Sequence, residues 1–540
     1  MPKRLFTAGT VWSGADCLPH TGWLLIGDGR IERVGRSDEP APAADEVVDL
    51  AGRHVLPGFI DTHSHLSVAA LVRDGIDGAA WHSVATALAA IGAAAAARPE
   101  LPWLLCWNST PHEWPESRLP TAAELDAVAP GRRVLVSGVD LHRGAASSAA
   151  LEGFSPRSKD GDVGRGRRTG EVWEAAYGAI LHRALRDLEL YRRDAGAELL
   201  AIEARRQLAC GITHAHDPFV PPAGQPALPR LAGRTPLRLS WATGSPAGIL
   251  NPPGDPASAP DGPYGAAGRE VKIFLDGADR CALELPMRAV PGLVAGTVRE
   301  ALRHRGCGPV REGMRQAVRM RAGRVRMPYL RYTDAELRET LAAYAASGFR
   351  IRLHALGNLA ATQAALALRT VGVPAGTVTV DHLTVLDRRT ADLVATGGAY
   401  AAVQPGFLPR FGPQFVRLGI DRHRAIVGAR MLAAAGAPVV LSSDHPCGPL
   451  DPLGNLRTAV GRRGRGGAVV QADQALAPAA AVRAATVTAA ASLGIPDRGA
   501  LSPGQAADLV ICDGNPFDPA TRVTQTWVAG EKVWQERKSA

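Results

Sequence analysis

PGFIDTHSHL, residues 57–66, opens on a proline and a glycine, runs through a short apolar strand and ends on two histidines one residue apart. The strand period of two sends His63 and His65 to one face, so both imidazoles can grip a single divalent ion. Alone, a His-x-His pair is more often a polar pair satisfied by its neighbours. Its weight comes from what recurs along the chain.

Beyond residue 57, short apolar strands alternate with helical stretches, the pattern of an α/β fold with parallel strands. Nine segments read as strands: LPGFIDTH (56–63), RVLVSGVD (133–140), GITHAHD (211–217), LRLSWA (237–242), VKIFLDG (271–277), RIRLHALG (350–357), TVTVDHL (377–383), AYAAVQP (399–405) and VVLSSDHP (439–446). They are nine candidates for the eight places of a TIM-like (β/α)8 barrel, and either 237–242 or 271–277 is expected to be accessory. Helices such as DAELRETLAAYAASG (334–348) lie between them and end on glycine. His63 and His65, His214 and His216, Lys272, His354, Asp381 and His382, and Asp444 and His445 all fall at or near strand carboxyl ends, which converge on one mouth in such a barrel. Singly, Lys272 reads as a surface lysine and Asp444 as a helix N-cap. As an ordered set they are costly to bury without partners, several kcal/mol each, and a metal supplies the partner.

The flanks differ. Residues 4–56 and the stretches 507–516 and 523–534 read as strand-turn-strand without long helices. A small composite β-sandwich domain from residues 1–56 and 500–540 is expected, around a barrel of residues 57–499 with lid insertions at 67–132, 141–200 and 276–333.

The 61 basic and 52 acidic residues leave a net charge of +9. The arginines are scattered, and the two clusters, Arg165, Arg167 and Arg168, then Arg462, Arg463 and Arg465, read as solvated loops without the aromatics of a nucleic-acid groove. Seven widely spaced cysteines include no C-x-x-C pair, which argues against structural zinc and a disulfide framework. The start, MPKRLFTAGTVWSGAD, lacks an apolar signal core, and SVATALAAIGAAAAA (83–97) is too short to span a bilayer. A cytoplasmic protein without nucleic-acid or membrane partners is expected.

PGFIDTHSHL, VKIFLDGA, RLHALGN, TVDHL and LSSDHP, followed by ADQALAPAAAVRAATVTAAASLGIPDRGALSPGQAADLVICDGNPFD, resemble the amidohydrolase superfamily. More closely they are similar to its family 3 branch, the N-substituted formamide deformylase-like and exoenzyme-regulatory-protein-like hydrolases, from about residue 4 to residue 535. The resemblance implies a TIM-like barrel with a sandwich made from both termini and, as in many relatives, a homodimer. It implies one or two divalent ions, with zinc the expected metal. His63, His65 and Asp444 would hold the first and His354 and His382 the second, with Lys272, carboxylated, as a bridge. It also places His142, in DLHRGAASSAAL (140–151), at the substrate.

Two departures bear on the chemistry. Asn358 stands where this branch commonly has an acid, and Asp381 where it commonly has glutamate. Residues 355–358, Ala-Leu-Gly-Asn, offer no glutamate to shuttle protons to ammonia, so hydrolysis of an amide-like C–N bond is favoured over deamination. The expected reaction is attack of metal-activated hydroxide on a small molecule, with Asp444 as general base and then acid. His216 or His445 would stabilise the oxyanion. Trp81, Trp107, Trp114, Trp173 and Tyr177 either line an apolar pocket or pack the lid, with Trp107 taken, beside His142, His216 and His445, as substrate-binding. The arginine-rich segment 303–326 reads as a solvated helix face, and Cys447 as a bystander rather than a nucleophile. The competing readings are a mononuclear deaminase and a degenerate binding or regulatory protein on the same scaffold.

Overall fold

Eight parallel strands make the central sheet: β1 (Phe59–Asp61), β2 (Ile212–Val220), β3 (Arg238–Thr243), β4 (Glu270–Phe274), β5 (Arg350–Ala355), β6 (Val378–His382), β7 (Tyr400–Val403) and β8 (Val439–Leu441), each paired with the next. Past the strand ends, Ser64 bridges His445 in parallel and His65 N–H donates to the His445 carbonyl at 2.7 Å, which brings β8 back to β1. The computed structural model describes residues 2–14, 19–154, 169–191, 196–220, 227–259, 268–278, 280–304, 306, 310 and 317–536. Cys17, Cys307, the cluster Arg165, Arg167 and Arg168, and part of 303–326 lie outside the described residues.

Both doubtful segments, 237–242 and 271–277, supply barrel strands, β3 and β4. The surplus candidate is RVLVSGVD. Its strand, Val134–Gly138, sits in a separate five-stranded sheet with Ile76–Asp77, Leu104–Ser109, Arg143–Ala146 and Glu171–Trp173, inside the insertion between β1 and β2. Leu135 packs on one face of this sheet with Leu105 and Tyr177, while Val134 and Val136 pack on the other with Leu104 and Cys106. A strand buried on both faces reads as one apolar run whichever sheet holds it, so the pattern could not assign it.

The termini meet in one continuous eight-stranded sheet, in which Leu509–Cys512 pairs antiparallel with His54–Pro57. Alternation decides its two faces. Val55, Leu509 and Ile511 join Phe6, Ile26 and Trp527 in one core, whereas Leu56, Val510 and Cys512 pack into the apolar layer around the barrel. Asp508 secures the joint by pairing with Arg238 of β3 at 2.8 Å.

The same alternation makes the barrel interior polar. Val271 and Ile273 of β4, Ile351, Leu353 and Ala355 of β5, and Val378 and Val380 of β6 pack outward with Leu337 and Leu341 of helix Asp334–Ala346 and Ala360 and Ala361 of helix Asn358–Val371. The intervening residues, Lys272, Arg352, His354, Thr379 and Asp381, are buried on the opposite face. Helix Asp334–Ala346 begins on a capping box, with Glu336 N–H donating to Thr333 Oγ1 and Thr333 N–H to Glu336 Oε2, and is followed by Gly348 in a left-handed turn. Among the described residues no helix is long and apolar enough to cross a membrane.

Candidate metal centre at the barrel mouth

Asp61, two residues before His63, holds the first and last strands together: its Oδ1 accepts His63 N–H at 3.2 Å and Ser443 N–H at 3.1 Å. Asp444 N–H in turn donates to the His63 carbonyl at 2.7 Å. These bonds hold Asp444 in a left-handed backbone, φ +55°, a conformation a non-glycine residue adopts at a cost of roughly 1–3 kcal/mol. Its Oδ1 thereby lies 3.2 Å from Nε2 of both His63 and His65.

His382 follows Asp381 on β6 and by strict alternation would point outward. Its φ of +76° breaks the strand, and its ring lies 4.9 Å from that of His63 and 4.4 Å from that of His354. The ligand atoms of His63, His382 and Asp444 all lie within 4.8 Å of one another. Among the described residues this donor group thus takes members from both of the sets that the family resemblance implies, with His65 reaching it at Asp444 and the His354 ring lying beside that of His382.

This donor set suits a divalent cation. Two imidazoles have Nδ1 engaged by an oxygen, His354 with Asp276 at 3.0 Å and His382 with Gln404 at 3.0 Å, which leaves Nε2 free to coordinate. Burial holds both imidazoles well below their ordinary pKa, hence neutral as ligands must be. Burial pushes the Asp444 carboxyl up, but the His63 and His65 imidazoles outweigh it and hold the group well below the usual range, so it is an anion. Asp276 accepts N–H bonds from Ala282, Leu356 and Gly357, yet burial pushes it up to about 7.

The other expected residues are placed as follows. Lys272 is buried, and its Nζ donates to Asp381 Oδ2, whose Oδ1 receives Arg352 at 2.7 Å and lies 3.1 Å from His63 Nδ1. His216 has both nitrogens occupied inside the barrel, Nδ1 by Ser240 at 2.9 Å and Nε2 facing Glu270 at 3.0 Å, so it is not placed as an oxyanion donor. His445 turns towards Glu203 of helix Gly196–Ala209, 3.3 Å from its Nε2, a carboxylate that also takes Arg73. His142 comes from the inserted sheet and its ring lies 5.5 Å from that of His354. Trp107 packs with Phe407 and Cys447, and Phe407 stacks on His382 at 6.1 Å. Trp81 and Trp114 pack the insertion core, and Tyr177 is fully buried. Cys447 donates to the Asp140 carbonyl, and burial raises its thiol well above the ordinary value, which makes it a poor nucleophile.

Sequence reasoning passed over Asp276, Gln404, Arg352, Glu270 and Glu174. Asp276 and Gln404 had a usable signal, since each is a polar residue just past a barrel strand, in VKIFLDGA and AYAAVQP.

A barrel that gathers imidazoles and a carboxylate at its strand ends defines an enzyme of the metal-dependent hydrolase class. The chain belongs to the amidohydrolase family, whose model matches residues 46–534. It is 28% identical to N-substituted formamide deformylase of Arthrobacter pascens over 94% of each chain. It is 25% identical to the putative amidohydrolase YtcJ of Bacillus subtilis over 99% of this chain and 100% of that one. Among solved structures, an uncharacterized metal-dependent hydrolase from Pyrococcus horikoshii OT3 superposes with a TM-score of 0.67 at 20% identity, covering 95% of this chain and 98% of that one. A triazine hydrolase of Arthrobacter aurescens superposes with a TM-score of 0.51 at 17% identity, over 99% and 95%.

Proposed function

We propose that the chain is a zinc-class hydrolase of a non-peptide, amide-type C–N bond in a small molecule, such as an N-substituted formamide, an N-acyl amine or a cyclic amide. The observation that carries this reading is the convergence of His63, His382 and Asp444 within 4.8 Å, in a chain alike over 94% of its length to a formamide deformylase. His63, His382 and Asp444 would hold the cation, with His65 and His354 completing its surroundings. Bound there, a divalent cation supplies Lewis acidity to a carbonyl oxygen and makes water a nucleophile near neutral pH. Asp444 accepts the proton released by the attacking water and returns it to the departing nitrogen.

Asn358 supports hydrolysis over deamination. Its amide donates to the Glu284 carbonyl and to Asp387 while its oxygen accepts Glu284 N–H, so at this position the chain offers a structural amide and no acid. Lys272 in this reading is the countercharge of Asp381 rather than a bridging ligand. The test is amine and formate release from a panel of N-substituted formamides by protein of measured metal content. Hydrolysis that is lost on chelation and restored by zinc supports the proposal, and ammonia release from an amino-substituted ring by the same protein contradicts it.

A further inference from the structure

One buried pair beside the imidazole cluster comes from the insertion rather than from the barrel. His142 precedes strand Arg143–Ala146 and Glu174 opens helix Glu174–Tyr191, with fractional exposures of 8% and 0%. His142 Nδ1 lies 2.8 Å from Glu174 Oε2. The loop after β4 supports both groups: Arg280 N–H donates to Glu174 Oε1 at 2.9 Å and Ala278 N–H approaches His142 Nδ1 at 3.3 Å. In the same loop, a Cβ added to Gly277 would stand 2.1 Å from Glu174 Oε2, so the barrel leaves out a side chain where this carboxylate enters. Glu174 itself has φ +48°, an uncommon backbone for a non-glycine residue, which delivers its carboxylate to that gap.

Of the two neighbours of Nδ1, the carboxylate is nearer, charged and able only to accept. In the neutral imidazole Nδ1 therefore carries the ring proton and Nε2 presents a lone pair. Among the described residues Nε2 has no hydrogen-bond partner. We infer that Glu174 is a positioning residue that fixes His142 in the Nδ1–H tautomer, so that Nε2 accepts a hydrogen bond from the N–H of a secondary amide. This specificity rests on the hydrolase reading of the site, whereas the tautomer does not.

Two measurements test it on the full-length, zinc-loaded protein. In histidine-15N-labelled protein, with the resonances assigned by His142→Gln, long-range proton–nitrogen correlations should show a protonated Nδ1 in the wild type. Glu174→Gln, whose amide donates to Nδ1, should move that proton to Nε2. In parallel, the wild type should hydrolyse N-butylformamide about 10- to 100-fold faster than N-butyl-N-methylformamide, the range one hydrogen bond supplies. The preference should collapse towards unity in both Glu174→Gln and His142→Gln while metal content stays constant. An unprotonated Nδ1 or a protonated Nε2 in the wild type, or a preference that survives both substitutions, overturns the inference. If neither amide is cleaved, the hydrolase reading and the amide specificity fall together, and the tautomer still decides whether Glu174 positions His142.

Discussion

Asp444 is where backbone strain, charge and ligand geometry meet, through its left-handed φ and two imidazoles at 3.2 Å. Replacing it by asparagine keeps the shape and removes the proton acceptor, so kcat should fall by about 100-fold or more in a formamide hydrolysis assay on protein of matched metal content. Lys272 makes the opposite prediction. Its loss leaves Asp381 Oδ2, on a carboxylate that is 0% exposed, without its partner while Arg352 still pairs Oδ1, so Lys272→Met should cost about 1–3 kcal/mol in denaturant unfolding while the metal-to-protein ratio is unchanged. A variant of normal stability that loses metal would instead make Lys272 a ligand. The histidines were legible because the strand period projects His63 and His65 together and because polar residues recur at strand ends. His382 was legible as a strand-end residue but its inward direction was not, since alternation points it outward and a single left-handed φ reverses it.

Among the elements, the barrel strands could be read and the inserted sheet could not, because Val134–Gly138, buried on both faces, carries the same signature as a barrel strand. Sheet membership depends on partners far away in sequence, which no local pattern encodes. Helix starts are more local. The insertion's helix Ala122–Val128 begins on a capping box of Thr121 and Glu124, and Arg118 holds the Glu124 carboxyl down at about 2, at 2.7 Å. A carboxyl whose folded pKa is depressed stabilises above its unfolded value of about 4.3 and loses that contribution as pH falls through 4 towards 2. Glu124→Gln should therefore speed amide exchange across residues 122–128 at pH 7, equivalent to about 1 kcal/mol, with the difference fading by pH 2–3.

For the whole molecule, the alternation of strands and helices gave the class of fold, but the charge pattern did not give the use of each arginine. The expected solvated cluster at Arg462 is instead partly internal. Arg462 is buried, donating to the carbonyls of Ile426, Val427 and Val470, while Arg465 reaches Glu113 of the insertion at 2.7 Å. The terminal sheet ties both chain ends to the barrel through Asp508 and the Leu509–Cys512 pairing, so cutting the chain after Pro503 leaves the His54–Pro57 edge and Arg238 unpartnered. Such a truncation should collect in the insoluble fraction while the full chain stays in solution. In the proposed centre, strand ends from distant parts of the chain converge to hold one cation. Crystals grown with zinc and measured across the zinc absorption edge address it most directly. An anomalous peak within coordination distance of His63, His382 and Asp444 is the predicted result, and no peak among these three side chains in zinc-active protein would contradict it.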